Sequence, residues 1–202
     1  MATTSRVTRA QRKAATRAAL LDAGHAVFLR DGFHGASLDR VAAEAGFTKG
    51  AVYAHFETKA DLFLAILERR VDQRVAAQDA AGADARDFAA MVAQATEQWG
   101  TVMRDDAAWT LLLLEFWTHA ARDRELRARV AEQHARTHAS IARLVGEVRA
   151  RSGETLALPD DALATVLMAL GNGLNLDGLL FSDRPRVDLY ERTLTAMLAG
   201  LR

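Results

Sequence analysis

Ser37–Lys59 reads SLDRVAAEAGFTKGAVYAHFETK, and this stretch decides the fold. Leu38, Val41, Ala42 and Ala45 follow the i, i+3, i+4, i+7 spacing of one buried helical stripe. Ser37 stands just before that stripe, where its hydroxyl can cap free N–H groups. Gly46 follows the stripe and suits the left-handed position that ends a helix. Thr48 then caps a second short helix, in which Val52 and Phe56 form an i, i+4 buried pair. That helix leaves Lys49, Gly50, Ala51, Tyr53 and His55 outside. A small, basic, hydroxyl-bearing surface of this kind can enter a major groove and grip phosphates on both rims.

The chemistry of that surface can be read residue by residue. Thr48 and Lys49 stand at a helix start, where free N–H groups and the dipole favour a phosphate. Gly50 and Ala51 lack bulk, so backbone can approach DNA closely. The cost is weak direct readout, and Lys49 is the best candidate to reach a guanine. Tyr53 lies off the buried pair, so its hydroxyl faces outward as a phosphate contact; a half-buried core tyrosine is the plainer alternative.

Composition sets the frame. The 202 residues suffice for a full core and for two lobes sharing a long helix. Lys+Arg and Asp+Glu balance at 26 each, which argues against a general nucleic-acid coat. The charge is unevenly spread, however. Arg6, Arg9, Arg12, Lys13 and Arg17 all precede the first acid, Asp22. A basic arm on a neutral protein is the footprint of localised DNA contact, or of a solvated tail. With 0 Cys, disulfides, thiolate metal sites and Cys nucleophiles are excluded. No apolar stretch of the ~20 residues that span a bilayer is expected, and no secretory signal is visible. A soluble cytoplasmic protein without membrane contact is the expectation. With 2 Pro, few β-branched runs and abundant Ala, Leu and Arg, the composition is all-helical.

Phe33, Ser37-Leu38, Val41-Ala42, Ala45-Gly46, Thr48-Lys49-Gly50, Val52-Tyr53, His55-Phe56 and Lys59 together resemble the DNA-binding domain of tetracycline-repressor-like (TetR) regulators. The match covers about the first third of the chain and is ungapped through both helices. The resemblance implies that Ser37, Tyr53, His55 and Lys59 contact phosphates. The family often has a second aromatic where this chain has Ala54, so one such contact is missing here. Beyond this stretch only helical content, length and order resemble the family.

Along the rest of the chain, residues 1 to about 14 are expected to be mobile, with a first helix from about Thr16 to Asp31. Gly32 stops it and Phe33 turns back into the core. Thr58-x-x-Asp61 forms a capping box that opens a long helix. Ala80–Ala83 is the expected break, with Asp84 capping the next helix. Asp105-Asp106 opens another. A long helix from about Arg122 to Arg151 follows, then one from Pro159 to about Phe181. Asp183–Pro185 interrupts the chain before a last helix.

Three further groups stand out. Trp99, Met103, Trp109, Phe116 and Trp117 cluster on two adjacent helices, either as core or as walls of an apolar pocket. His134 and His138 are an i, i+4 pair beside them, and Glu115 and His119 another. These four polar groups either complete a core network, orient a ligand, or hold a metal; 0 Cys weighs against the metal. Paired Glu-x-x-His motifs are absent, so no di-metal oxidase centre is expected. Finally, Gly171-Asn172-Gly173-Leu174-Asn175-Leu176-Asp177-Gly178 puts glycines inside an apolar helix, each costing about 1 kcal/mol against Ala. Close approach of another helix, or a kink, would explain them. With the last helix, this segment resembles the family's dimer interface, a four-helix bundle; Asn172 and Asn175 face either that interface or the pocket.

The expected protein is all-α. An arm and helix-turn-helix domain occupy residues 1–58, and a ligand-binding and dimerisation domain occupies 59–202. It is expected to be a homodimeric regulator, not an enzyme and without cofactor. A repressor is expected to bind a double-stranded DNA operator and to leave it when a small apolar or amphipathic effector binds. The alternatives are a constitutive DNA-binding protein and a metal-responsive regulator using His134 and His138.

Overall fold

The computed structural model describes residues 8–82, 85–105, 107–181 and 186–201. Among them all regular structure is helical: α1 (Arg9–Gly35), α2 (Leu38–Ala45), α3 (Lys49–Tyr53), α4 (Lys59–Gly82), α5 (Phe88–Asp105), α6 (Ala107–Ala120), α7 (Arg124–Ser152), α8 (Asp160–Phe181) and α9 (Val187–Gly200).

Helix starts follow local capping chemistry. α1 begins earlier than expected, at Arg9 rather than near Thr16. The Thr8 hydroxyl accepts from Gln11 N at 3.1 Å, and Thr8 N donates back to the Gln11 side chain at 2.8 Å. This reciprocal cap satisfies two free donors, so the Ala/Arg-rich segment that follows is helix and not a mobile arm. Of the basic residues there, Arg6 lies outside the described residues. Gly32 adopts φ 69°, a left-handed kink near the end of α1 that turns Phe33 inward. The Thr58–Asp61 box forms as expected, with Thr58 N donating to Asp61 at 2.9 Å and Asp61 N to Thr58 Oγ1 at 3.1 Å. α5 is capped by Asp87, whose carboxylate accepts from Ala90 N at 2.8 Å. The expected break residues Asp84, Asp106 and Asp183–Pro185 lie outside the described residues.

The chain divides into two compact units. One comprises Met1–Arg69 with Leu112–Val130, the other Arg70–Leu111 with Ala131–Arg202. This differs from a cut after residue 58, because the first half of α4 and the segment Leu112–Val130 pack with the N-terminal helices.

The first unit is built on aromatic rings from α1, α4 and α6. Phe28, Phe33, Phe63 and Phe116 are all buried. Phe33 meets Phe116 edge-on at 5.1 Å between centroids, Phe28 meets Phe63 at 5.2 Å, and Phe63 and Phe116 lie 4.1 Å apart. Gly24 lets α1 and α4 approach: a Cβ there would stand 2.9 Å from Leu62 Cδ2. Leu38, Val41, Ala42, Val52 and Phe56 add the short helices to this core.

The second unit has its own core, with Phe88, Met91, Val92, Val145, Val148, Leu163, Leu194 and Leu198 buried. Trp99 stacks on Tyr190 at 4.6 Å. Burial pushes the Tyr190 hydroxyl up to about 12, so it stays protonated. Arg149 ties the α7 end to α8, donating to Asp160 at 2.8 Å and to the Leu158 carbonyl at 2.8 Å.

One sequence expectation needs correction here. Asp160–Phe181 is long and apolar enough to cross a membrane by length and composition, although no such stretch was expected. Only 22% of its apolar window is buried within the chain. The core helix of a soluble protein passes the same test, and among the described residues the low burial leaves much of this helix uncovered.

Candidate nucleic-acid interface

The face read from Ser37–Lys59 forms in the first unit. Ser37 caps α2, accepting from Arg40 N at 3.3 Å, and remains exposed. Gly46 takes φ 70° and sends the chain into α3. Its neighbour Phe47 donates its N–H to the Ala42 carbonyl at 3.0 Å, which closes the helix end. Thr48 caps α3, accepting from Ala51 N at 3.2 Å. α3 is a helix only through Tyr53, yet Phe56 N still reaches the Val52 carbonyl at 2.9 Å. Both Val52 and Phe56 are buried, so α3 is anchored along one side.

The opposite side is open. Tyr53 is 53% exposed, which removes the half-buried core alternative for its ring. Lys49, Gly50 and Ala54 are exposed, while Ala51 and His55 are half-buried. A Cβ on Gly50 would meet nothing within 4 Å, so no packing inside the chain requires glycine there. A helix position that gives up about 1 kcal/mol against Ala without an internal reason is one kept clear for an external surface.

Charge is arranged around α3. Lys49 Nζ donates to Asp39 at 2.6 Å, and this bond holds the ammonium pKa above its ordinary value. His55 is pushed below the ordinary imidazole value, first by burial and then by Lys13 and Arg17. The basic start of α1 therefore lies within electrostatic reach of the C-terminal end of α3. Arg17 also sits over the Phe56 ring at 5.3 Å.

Lys59 has a more internal place than expected. Its ammonium donates to the carbonyls of His34 at 2.9 Å and Ala36 at 3.2 Å, and lies 4.9 Å from the centre of the Phe33 ring. It satisfies carbonyls left open at the end of α1, and only one proton remains for a phosphate. Glu115 has a similar task, accepting from Phe33 N at 2.9 Å beside the Gly32 kink.

The residues proposed for a ligand site are not gathered in one unit. Phe116 and Trp117 belong to the first, and Trp99, Met103, Trp109, His134 and His138 to the second. Phe116 is fully buried among Phe33 and Phe63, as the core alternative has it. Trp117 is half-buried. Trp99 is half-buried on Tyr190, and Trp109 is buried under the Arg70 guanidinium at 4.3 Å. The Met103 side chain lies outside the described residues. His138 Nε2 bonds the Asp161 carbonyl at 3.0 Å and Thr165 Oγ1 at 2.9 Å, a satisfied link between α7 and α8. His134 is exposed. Among the described residues no cluster of three or more His, Cys, Asp or Glu is placed to hold a metal ion. Asn175 donates to Thr110 Oγ1 at 3.0 Å, within its own chain, whereas Asn172 is exposed.

Sequence reasoning missed Asp39, although an acid in the first turn of α2, ten residues before Lys49, was a readable signal. Glu115 was singled out with a core network among its alternatives, but its partner Phe33, far away in the chain, carried no signal. The stacking of Tyr190 on Trp99 carried none either.

Two short capped helices around a left-handed glycine, with an open basic face on the second, define a helix-turn-helix DNA-binding protein. Residues 20–66 match the profile of bacterial regulatory proteins of the tetR family, and residues 90–202 match that of the C-terminal domain of BetI-type transcriptional repressors. The chain belongs to the TetR family of transcriptional regulators. It is 44% identical over 59 residues to the HTH-type transcriptional activator FasR of Mycolicibacterium smegmatis, covering 29% of this chain and 27% of that protein. It is 42% identical over 57 residues to the HTH-type transcriptional repressor SCO4008 of Streptomyces coelicolor, covering 28% of this chain and 30% of that one. The alignments thus span under a third of these relatives. Similarity of fold extends further. A TetR-family regulator of Mesorhizobium loti superposes with a TM-score of 0.76 at 20% identity, over 94% of this chain and 96% of that one. FadR of Bacillus subtilis, in complex with stearoyl-CoA, superposes with a TM-score of 0.74 at 15% identity, over 92% and 99%.

Proposed function

We propose that this TetR-family regulator is a homodimeric repressor whose operator binding is released by a small apolar or amphipathic molecule. The observation that carries the DNA part is the face of α3, with Val52 and Phe56 buried, Tyr53 and Lys49 exposed, and Gly50 kept clear. Residues 1–58 read the operator in this assignment, and residues 59–202 bind the effector and the second subunit. Repression is favoured over activation by the match of residues 90–202 to the repressor-type C-terminal domain. Half-buried Trp99 and buried Trp109, both of the second unit, remain the apolar residues offered to an effector, with half-buried His138 of the same unit as a polar edge. An apolar effector is supported by analogy with the FadR complex, whose ligand carries a long acyl chain. The effector would act by favouring one spacing of the two DNA-reading heads. The protein works on DNA in the cytoplasm in this reading, and no enzymatic reaction is assigned to it.

Binding of the purified protein to the DNA upstream of its own gene tests the reading, against a scrambled duplex of equal length at low salt. The native protein is expected to prefer the upstream fragment. Tyr53→Phe should weaken binding to both duplexes alike, by about 1 kcal/mol, because a phosphate hydroxyl carries no sequence information. A native protein that binds neither duplex would overturn the assignment. For the effector, Trp99→Ala should abolish release by acyl-chain ligands while binding of free protein to DNA survives.

A further inference from the structure

We propose that Asp39 sets the sequence selectivity of the α3 face, by holding Lys49 away from phosphates and presenting it to base edges. This rests on the DNA-binding reading above. Lys49 is the first residue of α3 and Asp39 lies in the first turn of α2. Their side chains meet at 2.6 Å while 69% and 47% exposed. An acid on a surface that meets a polyanion is otherwise a liability, since it repels every phosphate equally. Here it is joined to the cation best placed for the groove.

The pair treats two kinds of DNA acceptor differently. An ammonium has three donors, so Lys49 can keep one bond to Asp39 and offer the other two to guanine O6 and N7. A base edge is uncharged, and the carboxylate does not oppose it. A phosphate brings a full negative charge to within a few ångströms of Asp39, and the repulsion cancels much of what Lys49 gains. The ion pair therefore lowers general backbone affinity and leaves base contact available, which is the direction that raises a specificity ratio. Arg40, the other cation near Asp39 in sequence, is already engaged with Asp31 at 2.9 Å. An exposed ion pair contributes little to folding, so substitution here acts on DNA and not on the core.

Asp39→Asn keeps the shape and removes the charge. Affinities of native protein, Asp39→Asn, Lys49→Gln and the double variant would be measured on the upstream fragment and the scrambled duplex, across a salt series. Asp39→Asn is expected to tighten binding to the scrambled duplex by about ten-fold more than binding to the upstream fragment. Its slope of log affinity against log salt on the scrambled duplex should steepen by about 0.9, the value for one more neutralised phosphate. Both changes should vanish in the Lys49→Gln background. Lys49→Gln alone should weaken the upstream complex and leave the scrambled one unchanged, an arm that does not depend on how Asp39→Asn folds. Equal tightening on both duplexes, or tightening that persists without Lys49, would reduce Asp39 to a bulk negative charge and overturn the proposal. Failure of native protein to bind either duplex would instead remove the DNA-binding reading on which it stands.

Discussion

At the scale of single residues, His55 links the interface to pH. Its pKa in the free protein lies below the ordinary 6.5, because burial and the cations Lys13 and Arg17 disfavour the imidazolium. A phosphate brought beside it acts in the opposite direction and raises that pKa. Binding then takes up a proton over the window between the free and bound values, and affinity must rise as pH falls through that window. The sign for folding is separate: a depressed histidine destabilises the fold as pH drops below 6.5, since the unfolded chain binds the proton better. Operator affinity between about pH 8 and 6 is expected to increase toward acid in the native protein and to lose that dependence in His55→Asn. An identical pH dependence in the variant would place His55 away from the phosphates.

At the scale of elements, the basic start of α1 is the feature that most changes the picture of DNA contact. A mobile arm would search for phosphates at an entropic cost. A capped helix carrying Arg9, Arg12 and Lys13, all exposed, presents them already ordered. Replacing these three by Ala preserves helix propensity and removes the charge. The slope of log affinity against log salt should then fall, by up to about 0.9 for each phosphate that is no longer neutralised. An unchanged slope, with helical content retained, would mean that α1 does not touch DNA. α2 and α3 are legible in the sequence because caps, stripe and glycine all act within a few residues. The start of α1 is harder to place because Thr8-x-x-Gln11 is a cap whose helix has no apolar stripe until Leu20. Phe116 stays open between core and pocket wall in the sequence for a different reason. Its partners Phe33 and Phe63 are far away in the chain, and an aromatic on an apolar helix carries no mark of which surface it will meet. The same holds for Trp99, whose stacking on Tyr190 joins α5 to α9.

At the scale of the whole molecule, two DNA half-sites need two heads held at a fixed spacing. In the homodimer proposed above, α8 and α9 would offer the surface for that. Phe181 is 77% exposed, Leu180 53% and Leu189 40%, on helices whose other side packs in the second core. Two glycines of α8, Gly171 and Gly173, differ in what surrounds them. Gly171 has an internal reason, since a Cβ there would stand 3.3 Å from Trp99 Nε1. Gly173 has none: it is exposed, and a Cβ would meet nothing within 4 Å. Gly173→Leu therefore places its Cβ in open space among the described residues and improves helix propensity by about 1 kcal/mol. On the homodimer reading its main penalty comes from a second copy, where a tightly packed helix pair resists added bulk by roughly 1–3 kcal/mol. Sedimentation is expected to show a dimer for the native chain and a folded monomer for the variant at the same concentration, with operator affinity disappearing together with the second head. A Gly173→Leu protein that remains a dimer of native strength would move the interface off this face of α8, and the uncovered apolar side of that helix would then require a different partner.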